Sequence, residues 1–172
     1  MMSRTARLLK DGSYYYVQTQ SYKNQKVFKM DSDYEQYIKM LRKYKQRFAI
    51  SIYAYCLTPA ATYLVVHPSQ SHKLPSFMQC MNQAYALFFN RRYNGIGKVW
   101  GQRYKSILID NDHNLLGTVK SVEFIPVKED RTPSPFGYQW SSCANRILGV
   151  GGLIDPLPLS EISVSEVLLH KN

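Results

Sequence analysis

Two β-type runs with a proline between them set the strongest constraint on this chain. Ile50-Ser51-Ile52-Tyr53-Ala54-Tyr55-Cys56-Leu57 is apolar, aromatic and β-branched, and Thr62-Tyr63-Leu64-Val65-Val66 repeats that character. Pro59 breaks the first run, so the two read as the arms of a β-hairpin. Upstream, Tyr14-Tyr15-Tyr16-Val17-Gln18-Thr19-Gln20 reads as another strand. Asp31-Ser32-Asp33 then offers helix caps and first-turn acids, and Tyr34, Tyr37, Ile38, Leu41, Tyr44 and Phe48 follow at i, i+3, i+4 spacing. That pattern is a helix of about four turns, whose outer face carries Lys39, Arg42, Lys43, Lys45 and Arg47.

Downstream, Phe77, Met81, Tyr85 and Phe88 share one face of a second helix from about Leu74 to Tyr93. A linker from Asn94 to Gly97 leads to a strand near Tyr104–Ile109, and Asp110-Asn111-Asp112 caps a third helix from Leu115 to about Phe124. Pro126 is expected to end that helix. The order β-α-β-β-α-β-α predicts an α/β (α+β) fold, an antiparallel sheet with helices on one face, close to the ferredoxin-like split βαβ arrangement. Beyond Thr132 the chain is rich in Pro, Gly and Ser and reads as an extended tail. The expected division is a domain over 1–148 and a C-terminal tail over 149–172.

A chain of 172 residues suits one domain and needs neither disulfide nor metal to hold a core. Cys56, Cys80 and Cys143 are an odd, scattered set without CxxC spacing, which argues against a secreted disulfide scaffold. The opening MMSRTARLLKDG has no apolar stretch after its basic residues, so it is not read as a signal peptide, and no run approaches the length of a membrane span. The expectation is a cytoplasmic protein with no membrane partner.

Charge is distributed unevenly. Residues 1–105 hold 17 basic and 4 acidic side chains, whereas 106–172 hold 5 and 8. Such a field attracts a polyanion to one part of a molecule, although a solvated basic surface would look the same in composition. The stretch 91–105 narrows the choice. Arg91, Arg92, Lys98, Arg103 and Lys105 interleave with Tyr93, Trp100 and Tyr104, with no acid among them. Cations neutralise phosphates while aromatic faces stack on unpaired bases, and the glycines let backbone approach a ligand. The alternative is that Trp100 and Tyr104 are core residues with solvated basic neighbours.

The order of segments resembles the single-tyrosine HUH-type transposases, in the REP-associated tyrosine transposase branch. The likeness rests on Gly12-Ser13-Tyr14-Tyr15-Tyr16-Val17, on Ala54-Tyr55-Cys56-Leu57-Thr58-Pro59 and on Phe89-Asn90-Arg91-Arg92-Tyr93. It continues through Gly97-Lys98-Val99-Trp100-Gly101-Gln102-Arg103-Tyr104-Lys105, Pro126-Val127 and Tyr138-Gln139-Trp140-Ser141-Ser142. The resemblance implies a ferredoxin-like fold that binds single-stranded or hairpin DNA, with Arg91, Arg92, Tyr93, Lys98, Trp100, Gln102, Arg103 and Lys105 as the candidate contacts. It also implies, in active members, cleavage through a tyrosine nucleophile with Mg or Mn held by a His-hydrophobic-His pair.

Those catalytic positions have been replaced. The resemblance puts the two His at Ala61 and Tyr63, the nucleophile five residues before Pro126 at Ser121, and a further polar ligand at Ile125. A methyl, a protonated phenol and an alkyl chain make poor metal ligands. No His-x-His occurs anywhere in the chain. His67 shares a strand face with Tyr63, while His72, His113 and His170 are scattered. Gln20 stands where the family often carries Arg after the first strand. The expectation is a DNA-binding, catalytically silent member that needs no cofactor and acts as a monomer. The alternatives are an active transposase or nickase with a rearranged site, and a protein-interaction module that kept the fold.

Overall fold

The computed structural model describes residues 8–149 and 151–158. Its frame is a four-stranded sheet of β1 (Tyr14–Gln20), β2 (Ile50–Thr58), β3 (Ala61–Pro68) and β4 (Lys105–Ile109), in the order β2-β3-β1-β4. Every neighbouring pair is antiparallel. The β2–β3 hairpin turns at Pro59-Ala60, as the proline predicts, and its register slips at a bulge between Ile52 and Ala54. Helices α1 (Asp31–Phe48) and α2 (Lys73–Arg92) connect the strands. This is the ferredoxin-like arrangement predicted from the element order.

Capping explains where α1 begins. The Asp33 carboxylate, fully buried, accepts from the backbone N–H groups of Lys29 and Met30 at 2.8 and 3.0 Å. The acid thereby satisfies two donors ahead of the helix, where negative charge also suits the dipole. At the other end Ala49 adopts a left-handed conformation, φ 51°, that stops the helix. Pro75 is tolerated in α2 because it lies in the first turn, where an N–H has no intrahelical partner.

The chain buries two apolar clusters, one on each face of the sheet. Tyr37 and Leu41 of α1 and Phe77, Met81 and Tyr85 of α2 pack against Tyr15, Val17, Leu64 and Val66. On the opposite face α3 (Asp112–Glu123) lays Leu115, Val119 and Val122 over Ala54, Cys56 and Val65. Helices on one face therefore describe α1 and α2, while α3 covers the other. The reason lies in Leu64-Val65-Val66, buried without a break, because a strand apolar on both faces needs cover twice.

Two expectations about the C-terminal third are corrected. Pro126 does not simply end the third helix: α3 stops at Glu123, and Pro126 falls in the first turn of a short helix α4 (Ile125–Lys128), where proline costs no hydrogen bond. The tail beyond Thr132 is not simply extended either. It makes a 3₁₀ turn at Pro135–Gly137 and a helix α5 (Ser142–Leu148) closed by Gly149 at φ 63°.

That segment has a structural task, since β2 is an edge strand. Its outer groups are satisfied one after another. Leu57 N donates to Trp140 O at 2.8 Å and Leu57 O accepts from the Tyr138 hydroxyl at 2.7 Å. Tyr55 N donates to Ser142 Oγ, Tyr53 O accepts from the Arg146 guanidinium, and Ile52 exchanges two bonds with Asp155. Leu153 is buried in the α1–α2 core beside them.

Candidate nucleic-acid interface

The basic stretch 91–105 runs from the end of α2 to the start of β4, and its side chains divide by what they touch. Arg92 Nε lies 3.3 Å from the Asp33 carboxylate, and its Nη2 donates to Ser32 Oγ at 2.7 Å. The Tyr93 hydroxyl donates to the same carboxylate at 2.6 Å, with the Lys29 ammonium 4.4 Å above its ring. Both residues thus tie the end of α2 to the start of α1. Arg91, Lys98, Gln102, Arg103 and Lys105 are exposed. Among the described residues none of these four cations has an ion-pair partner.

Trp100 is committed to the core. Its indole N–H donates to Asn82 O at 3.0 Å, and its ring lies 5.7 Å from Tyr85 and 6.4 Å from Tyr37. Tyr104 is buried as well, 8 % exposed. The loop around them is zipped to the end of β1: Tyr22 N donates to Val99 O and Gly101 N to Gln20 O. A Cβ on Gly101 would sit 3.1 Å from Ser21 O, so its close backbone approach is to the chain itself. Gln20 is likewise occupied, its amide donating to Asn24 Oδ1 and Ala60 O.

Ala61, Tyr63 and Ile125 come together on the face that α3 covers. Ala61 and Tyr63 are alternate residues of β3 and share that face, with Ile125 and Tyr63 both packed against the α3 cluster. Ala61 is 3 % exposed and offers only a methyl group. Burial, and next the Glu129 carboxylate that its hydroxyl meets, push the Tyr63 phenol up to about 12. It therefore stays protonated at neutral pH. Ser121 is exposed on α3, in a shallow groove with Tyr16, Ile107, Asn114 and His113. His113 lies eight residues away on the same helix, about 12 Å along its axis, too far to take the Ser121 proton directly. His67 packs between Tyr14 and Tyr53 at 5.1 and 6.5 Å. His170 lies outside the described residues.

Two features carry no signal in the sequence pattern. Glu123 at the end of α3 is buried, and its Oε1 accepts from Ser142 Oγ at 2.6 Å and from Arg146 at 2.9 and 3.1 Å. That network fixes α3, and so Ser121, against α5. Trp140, which the sequence marks only as part of a motif, stacks on Tyr34 with ring centres 4.6 Å apart and planes at 7°.

The antiparallel β-α-β-β-α-β sheet thus carries four exposed cations, Arg91, Lys98, Arg103 and Lys105, with no ion-pair partner among the described residues. The family model for IS200-like transposases matches residues 10–121, and the chain belongs to that family. No curated protein matches it significantly. Among solved structures, a REP-associated tyrosine transposase bound to a REP hairpin superposes with a TM-score of 0.68 at 14 % identity, over 94 % of this chain and 96 % of that one. A candidate transposase from Deinococcus radiodurans R1 gives a TM-score of 0.48 at 13 % identity, over 76 % and 97 % of the two chains. At 14 % identity the likeness to the hairpin-bound structure is one of fold. Among the described residues no helix is long and apolar enough to cross a membrane.

Proposed function

We propose that this protein binds single-stranded or hairpin DNA and has lost the cleavage chemistry of its family, acting as a repressor, decoy or architectural protein. Family membership and the four exposed cations Arg91, Lys98, Arg103 and Lys105 support the binding half. The observation that carries the loss of cleavage is Ala61, a buried methyl where the resemblance puts a metal-binding imidazole. The remaining positions do not compensate. Tyr63 keeps its proton, which it donates in a hydrogen bond to the Glu129 carboxylate, Ile125 has no donor atom, and Ser121 lacks a base within reach. A divalent ion does not fit this donor set, and among the described residues no group of three His, Cys, Asp or Glu side chains is placed to hold one. The same reading has the protein working as a monomer in the cytoplasm.

The test is a paired binding and cleavage assay on hairpin-containing single-stranded DNA, with and without Mg or Mn. Metal-independent binding without a cut or a covalent protein–DNA adduct is expected. An adduct that disappears in Tyr63→Phe would overturn the loss of cleavage, and a well-folded protein with no affinity at low salt would overturn DNA binding.

A further inference from the structure

We propose that the groove beneath Trp140 is a subsite for one unpaired guanine of the bound DNA, an inference that rests on the DNA-binding reading above. The groove is open to solvent and has a volume of about 590 Å³, within the usual range of about 300–1,000 Å³ for small-ligand sites. One wall is a ladder of three rings. Phe28 stacks on Tyr34 at 4.6 Å and 17°, and Tyr34 stacks on Trp140 at 4.6 Å and 7°. Phe28 and Tyr34 are buried, whereas Trp140 ends the ladder half-exposed. Among the described residues no second ring meets Trp140, and its indole N–H has no hydrogen-bond partner. Trp100 has its N–H bonded to Asn82 and its ring against Tyr85 and Tyr37, whereas Trp140 meets the Tyr34 ring alone, which makes Trp140 the stacking platform of the pair.

The rest of the lining selects the base. Lys26, Lys29 and Arg131 line the groove together with Asp31, Glu129 and Asp130, so it is electrically balanced and phosphates are not drawn into it. Glu129 is occupied by Arg131 at 2.6 Å and by Tyr63. Asp31 and Asp130 have no ion-pair partner among the described residues and offer only acceptors. Guanine is the base whose pairing edge presents two adjacent N–H donors to one carboxylate. Thymine presents a single N–H between two carbonyls, which a carboxylate repels.

Trp100→Phe leaves Trp140 as the sole tryptophan, since the chain has two. Its emission is then titrated with d(TTGTT) and d(TTTTT). Saturable quenching by d(TTGTT) at concentrations at least about tenfold lower than by d(TTTTT) is expected, as is Trp140→Leu binding d(TTGTT) about 5- to 150-fold more weakly, the range of one stacked base. Because the groove is balanced, that variant keeps the salt dependence of the parent. Should Trp140→Leu fail to fold, Asp31→Asn/Asp130→Asn reads the same site and should abolish the preference for guanine. Unchanged Trp140 emission, or equal quenching by both oligonucleotides, from a protein that still binds hairpin DNA would overturn the subsite alone. Absence of all DNA binding would overturn the functional reading and this one with it.

Discussion

Removing the Glu123 carboxylate should be among the most damaging single changes in this protein. The side chain is 6 % exposed and its partner Arg146 15 % exposed, so both charges are largely withdrawn from water. Glu123→Ala leaves the guanidinium with one acceptor, Tyr53 O, and leaves the Ser142 hydroxyl proton without its acceptor. Breaking a buried pair from one side costs about 3–5 kcal/mol, a large share of the roughly 5–15 kcal/mol that holds a domain together. For a chain of this size each kcal/mol moves Tm by about 2–4 °C, so the expected fall is about 6–20 °C. Urea denaturation followed by circular dichroism measures the free energy. The double variant Glu123→Ala/Arg146→Met separates charge from packing: with both ions gone, much of the lost stability should return. A cost for Glu123→Ala below about 1 kcal/mol would refute the argument. So would a double variant as unstable as the sum of the two single ones.

Other outcomes follow from the same structure. Trp100→Ala should lose about 3–5 kcal/mol of stability by opening a cavity beside Tyr85, read as a lower urea midpoint, while the salt slope of DNA binding is unchanged. Since Arg92 is held by Asp33, four exposed cations remain for phosphates, and log affinity for single-stranded DNA should fall against log salt with a slope near about −2.8. Arg103→Ala should flatten that slope by about 0.7. Burial raises Tyr37, Tyr55 and Tyr63 to about 12, above the value of about 10 in an unfolded chain, so the unfolded state releases these protons first. Stability should therefore hold below about pH 10 and decline towards about pH 12, with a shallower decline in Tyr63→Phe, measured by urea midpoints across that range.

The sheet and its two long helices were legible because their signals are local. The alternation of Tyr14–Gln20, the Pro59 break and the spacing of Tyr34, Tyr37 and Leu41 each follow from the conformation of one segment. Family membership was legible from the order of those segments. What escaped depends on tertiary neighbours. Nothing within Val119–Glu123 says that α3 crosses to the second face; the unbroken burial of Leu64, Val65 and Val66 requires it. Trp100 and Trp140 look interchangeable in sequence, both aromatic among polar residues, and only Asn82 O and the Tyr34 ring distinguish them. Helix α5 could have been found from Gly149, a left-handed stop after Ser142–Leu148, had the Pro and Ser before it not suggested an extended chain.

The bonds that Tyr138, Trp140, Ser142, Arg146 and Asp155 make to β2 give the family pattern an unexpected dependence on sequence beyond it. The stretch that the family model matches ends at residue 121, and all five of these residues lie after it. A gene truncated just beyond that point would still encode the whole matched stretch, yet its product would present β2 as a bare row of N–H and C=O groups. Such a fragment is a template for strand addition by its neighbours, so copies cut short in this way would tend to aggregate rather than survive as smaller DNA-binding proteins.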